Sequence, residues 1–394
     1  VRALFSFTGG LGHFLPTEPF ARLLRERGHE VLYACQEGMV RSVEGAGWDA
    51  VATGGSTLLD PRTRRPLAPL DREAEEKAVR FSFAGRVARE RTGRLLDVAR
   101  DWRPDLVVRD EMDFAGAVAA EAIGVPHAAV VVIAAGGFLR PEVVAEPLAA
   151  LRAEHGLEPP EDAMGMLHRY LTLVPAPPSF RHPGDPLPAT AHWVRPAVLD
   201  RPGGPEPPAT GPRPEAGAAP RIYVTLGTIF NQESGDLFGR VLAGLAGLPV
   251  QVLATVGHQL DPGELGSLPP NVRVEPFVPL ARALAGTDVV VSHGGSGTVI
   301  AALALGIPQL VLPMGADQPL NADRCAALGV GMVLDALSAG PHEVREATRA
   351  LLGIDAYRQE AARIQDEIES LPDARHGARL LEDLARTGAP VLAP

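Results

Sequence analysis

Two short stretches of this chain combine residue types that could do chemistry. In the first, the apolar run Val289-Val290-Val291 ends in Ser292-His293-Gly294-Gly295-Ser296-Gly297-Thr298, and the acid–amide pair Asp317-Gln318 follows after a second apolar run, Gln309 to Leu312. An apolar run that empties into glycines ahead of a helical stretch predicts a strand, a tight turn and a helix N-terminus. Such a place offers backbone N–H groups and a positive dipole end to an anion such as phosphate. A carboxylate beside a carboxamide can hold vicinal hydroxyls. The glycines alone would serve equally well for a plain strand-to-helix turn. With His293 and Asp317-Gln318 beside them, they read as a diphosphate cradle with a polyol grip, which suits a nucleotide sugar.

The second stretch is Thr8-Gly9-Gly10-Leu11-Gly12-His13-Phe14-Leu15-Pro16, directly after the first apolar run. Glycines in that place invite a dinucleotide-binding reading, but the fingerprint fails. Counting from Gly10, the sixth position is Leu15, and no acid ends the second strand at Tyr33-Ala34-Cys35-Gln36. What remains is His13 at a loop tip, where a neutral imidazole could act as general base toward a hydroxyl. A carboxylate on its other ring nitrogen would orient it and stabilise the imidazolium. Asp110, after Leu106-Val107-Val108-Arg109, is the best-placed acid, with Glu111 and Asp113 as lesser rivals. Asp110 equally suits a helix cap ahead of Phe114.

The elements that must position these residues alternate short β-branched runs with helical stretches, which predicts parallel sheets covered on both faces. In the first half, strands are expected at Ala3 to Phe7, Glu30 to Ala34, Ala50 to Ala52, Leu106 to Val108 and Ala128 to Ile133. Helices are expected at Thr17 to Arg27, Glu37 to Gly45, Glu73 to Asp101 and Phe114 to Ile123, with Gly28 closing the first. The second half predicts strands at Arg221 to Leu226, Val250 to Thr255, Val272 to Val274, Val289 to Ser292 and Gln309 to Leu312, and a helical tail from Tyr357 to Ala385. From Pro196 to Pro220, eight prolines and four glycines among 25 residues mark an inter-domain linker. Ligands of open parallel sheets sit beyond the carboxyl ends of the strands. Two such domains would present those ends to each other across a cleft.

The 394 residues suffice for two to three domains, each with its own core. A net charge of −11 without a long basic run argues against nucleic acid and anionic membrane as partners. Cys35 and Cys325 lie in different halves, so there is neither a disulfide framework nor zinc-ligand spacing, as suits a reducing cytoplasm. The opening Val1 to Phe7 reads as a strand and not as a secretory signal, and no apolar run approaches the roughly 18 residues of a membrane span. A soluble, cytoplasmic protein is expected.

On these residues the chain resembles the nucleotide-sugar glycosyltransferases of the GT-B fold, family 1, and especially the actinobacterial enzymes that glycosylate antibiotic aglycones of macrolide and enediyne type. The resemblance covers essentially the whole chain. Its anchors are Gly12-His13, Asp110, Leu226-Gly227-Thr228 and, most strongly, the block from Asn271 to Asn321. It implies an α/β protein of two Rossmann-like parallel-sheet domains. Residues 1–199 would bind the acceptor, 200–220 would be the linker, 221–375 would bind the nucleotide sugar, and the last helix, within 376–394, would cross back onto the first domain. It also implies that His13 is the catalytic base and Asp110 its partner.

The donor would be held by Thr228, Phe277, Val278, His293, Gly295, Gly297, Thr298, Asp317 and Gln318. Asn321 is a weaker candidate that also reads as a helix-start residue. Phe277-Val278-Pro279-Leu280 corresponds to a segment usually written Trp-x-Pro-Gln; Phe277 keeps the stacking face, while Leu280 loses a polar contact. Relatives that use UDP-sugars carry a glutamate where Ala301 stands. A thymidine nucleotide has no 2′-hydroxyl to satisfy there, which favours a dTDP-sugar as co-substrate. No cofactor is implied and no metal, since no Asp-x-Asp occurs.

The reaction expected is inverting, with negative charge on the leaving diphosphate met by fixed donors. Phe14, Phe81, Phe83, Met112, Phe138, Met164 and Met166 could line an apolar acceptor pocket, although core packing explains each one singly. Segments 54–92 and 135–180 match nothing closely and would be the variable loops. The competing classes are a nicotinamide-dependent dehydrogenase, a sugar-nucleotide epimerase and a non-catalytic sugar-nucleotide-binding helper. The broken fingerprint opposes the first, and retention of both His13 and Asp110 opposes the last. The other partners expected are a hydrophobic small-molecule aglycone and, at most, a second copy in a homodimer.

Overall fold

The computed structural model describes residues 1–56, 65–197, 219–227, 230–257, 263 and 267–393. The chain divides into two compact units. The first comprises Val1–Leu58, Glu73–Ala197 and Leu371–Pro394; the second comprises Leu59–Arg72 and Val198–Ser370. Most of the segment expected as a linker, and Thr228, lie outside the described residues.

The first unit is built on seven parallel strands: β1 (Arg2–Ser6), β2 (Glu30–Cys35), β3 (Ala50–Ala52), β4 (Leu106–Asp110), β5 (His127–Val130), β6 (Leu171–Val174) and β7 (Ala191–Trp193). Their order is β3-β2-β1-β4-β5-β6-β7, so the winding reverses between β1 and β4. The central strands are apolar and buried on both faces, as covered parallel strands must be. The second unit repeats the plan with six: β8 (Arg221–Thr225), β9 (Gln251–Thr255), β10 (Val272–Glu275), β11 (Val289–Ser292), β12 (Gln309–Val311) and β13 (Gly331–Val333). The order β10-β9-β8-β11-β12-β13 puts its reversal between β8 and β11. These two reversals are where such sheets open to ligands, and His13 with Asp110 in the first unit and His293 in the second lie there.

Departures from expectation have local causes. The strand expected over Ala128 to Ile133 stops at Val130, because the amides of Val132 and Ile133 donate to the Glu111 carboxylate (2.7 and 2.6 Å) instead of to a strand. The long helix expected over Glu73 to Asp101 is helical throughout, but Ala78–Val87 winds as a π-helix between flanking α-helical segments. The tail breaks into Asp355–Ser370 and Ala374–Thr387 at Leu371-Pro372. Pro372 has no N–H to continue the first helix, and Asp373 caps the second by accepting from the His376 amide.

That last helix belongs to the first unit. Its Ala378, Leu381 and Leu384 join the core cluster with Phe5, Phe20 and Tyr33. Burial of each leucine stabilises by about 1.5–3 kcal/mol. Glu382 receives Arg27 (2.6 and 2.7 Å) and His29 (2.7 Å).

Candidate active site

Strand β1 ends in Ser6, and Gly9 turns the chain at a φ of +130°, in the left-handed region that favours glycine. A single helical turn, Leu11–Phe14, then lifts His13 above the end of the sheet. Asp110 is the last residue of β4, the neighbour of β1 at the reversal. Nδ1 of His13 lies 3.2 Å from Oδ1 of Asp110, with the imidazole 22% exposed and the carboxylate fully buried. Two backbone donors fix that carboxylate: the Met112 amide on Oδ1 (2.6 Å) and the Thr8 amide on Oδ2 (2.7 Å). The loop carrying the histidine and the strand carrying the acid are therefore tied by more than the imidazole. Phe83, from the π-helical segment, stacks near the His13 ring at 6.1 Å between centroids and 23° between planes.

The rival acids have other duties. Glu111 turns to the Val132 and Ile133 amides, and burial pushes its carboxyl up to about 7. Asp113 caps the helix Phe114–Ile123 through the Gly116 amide (3.2 Å), so the capping role open to Asp110 in the sequence is taken by Asp113. It also forms a fully buried ion pair with Arg91 (2.7 Å) and accepts from the hydroxyls of Ser6 and Thr8. Although the carboxyl is buried, those donors hold it below the usual carboxylate range. Arg91 further reaches Thr8 Oγ1, Thr53 Oγ1 (3.1 Å) and the Ala34 carbonyl (3.2 Å), knitting the ends of β1, β2 and β3 beneath the dyad. Nothing in the sequence distinguished Arg91 from the many arginines of its helix.

Among the aromatic and methionine candidates for the acceptor, Phe14 is 1% exposed, with its ring against Phe7 and Tyr33. It is core, with no face left for a ligand. Met112, Phe138 and Met166 are likewise buried, and Met164 is partly so. Phe81 stands 63% exposed on the π-helical segment, and Phe83 beside His13 is partly buried.

In the second unit, β11 leads into His293, whose ring occupies space left by two glycines. A Cβ on Gly227, in the loop after β8, would stand 2.6 Å from Nε2, and one on Gly295 would stand 2.7 Å away. Burial drives the His293 imidazole down to about 4, so it is neutral at pH 7 and can serve as an uncharged hydrogen-bonding group. Gly294 is left-handed (φ +89°), and a Cβ there would meet Val311 at 2.6 Å. Gly297 differs: a Cβ would meet nothing within 4 Å. It sits in the first turn of the helix Ser296–Leu303, where glycine costs about 1 kcal/mol against alanine. Packing does not require it, whereas close approach of a ligand to the backbone would. Thr298 follows in the same turn, partly buried.

Asp317 and Gln318 open the helix Gln318–Ala327 after β12. Asn321 is fully buried one turn on, and its Nδ2 donates to the Gly294 carbonyl (2.8 Å) and to Asp317 (2.9 Å). It thus ties the glycine turn to the acid. Phe277, in the loop between β10 and the helix Leu280–Leu284, is 49% exposed, while Val278 packs against the apolar cluster of Tyr223, Leu284 and Ala301. Among the described residues, no cluster of three or more His, Cys, Asp or Glu side chains could hold a metal ion, and no helix is long and apolar enough to cross a membrane.

Comparison with known proteins bears on the family and the fold. The N-terminal-domain model of the erythromycin biosynthesis protein CIII-like family matches residues 22–193, and its C-terminal-domain model matches residues 239–384. Elloramycin glycosyltransferase ElmGT of Streptomyces olivaceus is 33% identical over 396 residues, which cover 94% of each chain. Glycosyltransferase SnogD of Streptomyces nogalater matches with a TM-score of 0.73 at 31% identity, over 98% of this chain and 99% of that one. The spinosyn rhamnosyltransferase SpnG complexed with thymidine diphosphate matches with a TM-score of 0.80 at 26% identity, over 97% and 100%. The two parallel-sheet domains have the GT-B fold, and the relatives make the chain a glycosyltransferase. The chain belongs to the erythromycin biosynthesis protein CIII-like family.

Proposed function

We propose that this glycosyltransferase moves a deoxysugar from a dTDP-sugar to an apolar natural-product aglycone, in one inverting step that needs no metal. The observation that carries the proposal is the His13–Asp110 pair at the adjoining ends of β1 and β4. In this reading the first unit supplies the base and the second the donor contacts. His13 takes the proton from the acceptor hydroxyl while Asp110 stabilises the imidazolium through Nδ1. The acceptor oxygen bonds to the anomeric carbon as the bond from that carbon to the diphosphate oxygen breaks on the opposite face. The electron pair leaves with the β-phosphate, where His293, Thr298, Thr228 and the N-terminal amides of the helix Ser296–Leu303 oppose the growing charge.

The sequence has no Asp-x-Asp, which supports relying on these fixed dipoles in place of a metal. Thymidine diphosphate bound to the rhamnosyltransferase relative supports the nucleotide and, since rhamnose is a deoxyhexose, the sugar class. The elloramycin relative supports an antibiotic-type acceptor.

A thermal-shift panel of dTDP, UDP, GDP and NAD tests the donor, since a ligand at 100 times its dissociation constant adds about 2.7 kcal/mol. dTDP should stabilise most; a larger shift with UDP rejects the thymidine reading. His13→Ala should lower turnover by about 10²- to 10⁴-fold and leave the dTDP shift in place. Retention of more than half the rate removes His13 from the mechanism. Turnover should survive EDTA, and the product's anomeric configuration should be opposite to the donor's. Ala301 is fully buried among Tyr223, Leu284 and Ile307, so Ala301→Glu would bury a carboxylate. Comparing dTDP with UDP on the parent enzyme is the sharper test.

A further inference from the structure

Three side chains of the second unit form a closed hydrogen-bonded triangle at the Asp317 carboxylate. The Ser296 hydroxyl donates to Oδ2 of Asp317 (2.6 Å), Asn321 Nδ2 donates to the same oxygen (2.9 Å), and Asn321 Nδ2 also donates to Ser296 Oγ (3.1 Å). Asn321 Nδ2 has two protons for three acceptors, so one goes to the Gly294 carbonyl and the other is shared between Asp317 Oδ2 and Ser296 Oγ, while Ser296 donates its own hydrogen bond to the acid. Both hydrogen bonds to Asp317 fall on Oδ2. Gln318 is committed as well, since its Oε1 accepts from the Met314 amide (2.8 Å) and the Gly315 amide (3.3 Å). Two backbone donors facing one end of a carboxamide settle which end is oxygen, so Nε2 is the end that remains to donate. The residue before the acid, Ala316, is held at a φ of +52°, an arrangement that persists only where its surroundings over-determine it.

We infer that Ser296 and Asn321 are positioning residues that occupy one oxygen of Asp317, so that the acid–amide pair offers a sugar one accepting oxygen, Oδ1, and one donating amide, Nε2 of Gln318. This deepens the nucleotide-sugar reading and rests on it. The pair then reads a single sugar hydroxyl as donor at Asp317 and a single sugar oxygen as acceptor at Gln318, where two open carboxylate oxygens could have chelated a vicinal diol. Through the Gly294 carbonyl, Asn321 also links the acid to the turn assigned to the diphosphate, so sugar and diphosphate contacts are built on one frame.

The experiment is calorimetry of dTDP and dTDP-glucose with the parent, Ser296→Ala, Ser296→Thr and Asn321→Ala. The ratio of the two dissociation constants isolates the sugar contacts from those to the nucleotide. In Ser296→Ala the Kd for dTDP should change less than about twofold, while the ratio of Kd for dTDP-glucose to Kd for dTDP should rise by about 5- to 20-fold. Ser296→Thr, which keeps the hydroxyl, should stay within about threefold of the parent. Asn321→Ala should raise the same ratio and also weaken dTDP, because it releases the Gly294 carbonyl. An unchanged ratio in Ser296→Ala, or equal weakening of both ligands, would overturn the inference. Failure of the parent to bind dTDP would count against the thymidine donor only; the ratio taken with UDP-glucose and UDP then reads the triangle by the same criterion.

Discussion

Gly9 and His13 compete for one volume: a Cβ built on residue 9 would stand 2.8 Å from Nε2 of the imidazole. The φ of +130° at residue 9 independently favours glycine. The base can stand where it does only because its neighbour has no side chain. Gly9→Ala should therefore displace the imidazole from Asp110 and cut turnover by about 10²-fold or more, approaching His13→Ala. The dTDP thermal shift should be unaltered, since no residue of the second unit is touched. A Gly9→Ala enzyme with parental kcat would show that the observed ring position is not the working one.

The two buried aspartates beside β1 should fail in different ways. Asp110→Asn removes the charge that faces Nδ1 of His13 and turns an amide N–H against the Thr8 or the Met112 amide, so turnover should fall by about 10²- to 10⁴-fold while stability drops by about 1–3 kcal/mol. Asp113→Asn leaves Arg91 buried without its counter-charge and should cost about 3–5 kcal/mol of stability. Urea unfolding and kcat, measured on both variants, separate the roles. If Asp113→Asn were the more damaging to kcat at full stability, the assignment of His13's partner would be reversed.

Much of the fold was legible because central strands announce themselves: Glu30–Cys35, Val289–Ser292 and their neighbours are apolar runs bounded by glycine, proline or a helical stretch. Leu171–Val174, Ala191–Trp193 and Gly331–Val333 went unnoticed: each is short, lies at or next to a sheet edge and lacks an unbroken β-branched run such as Val289–Val291. The π-helical winding of Ala78–Val87 leaves no trace in a helical pattern either. Within the site, His13, Asp110 and His293 could be seen because histidines and acids at strand ends are conspicuous. Arg91 and Ser296 could not, since their significance lies in what they touch across tens of residues, and Phe83, offered only as one of several aromatics for the acceptor, carried no sign that it lies beside His13. Phe14, offered for the acceptor, proves to be core because an aromatic beside a loop histidine carries no mark of which way its ring turns.

The final helix is held against the first unit by a close approach at Gly377, where a Cβ would lie 2.5 Å from Cε1 of Phe20. Gly377→Val should wedge the helix outward and destabilise the first unit by about 1–3 kcal/mol, as overpacking does. Thermal unfolding would show a lower Tm, and proteolysis should open the C-terminal segment first. An unchanged Tm would mean that Phe20 swings aside freely.

Acid should weaken the fold well before most carboxylates titrate. Alongside the partly buried His376, which is lowered in the same direction, burial depresses three imidazoles deeply: His293 to about 4, His168 to about 3, and His127 well below its ordinary value. Each stays neutral in the native state but charges near pH 6.5 once unfolded. Their stabilisation is complete above pH 6.5 and is lost as the pH falls from there toward the folded values. Glu111 works in the opposite sense: raised to about 7 when folded, it takes up its proton earlier in the native state and offsets one of the three between about pH 7 and 4.5. Unfolding near pH 5.5 should therefore take up a net of about two protons, a slope of about 2.7 kcal/mol per pH unit. His168→Gln should reduce that slope by about one proton's worth, about 1.4 kcal/mol per pH unit, provided glutamine keeps the hydrogen bond that His168 Nδ1 shares with Thr172. Urea unfolding of parent and variant at pH 7, 6 and 5 measures both slopes. Stability that rose on acidification over this range would mean that the histidines are solvated in the working protein and that their burial does not describe it.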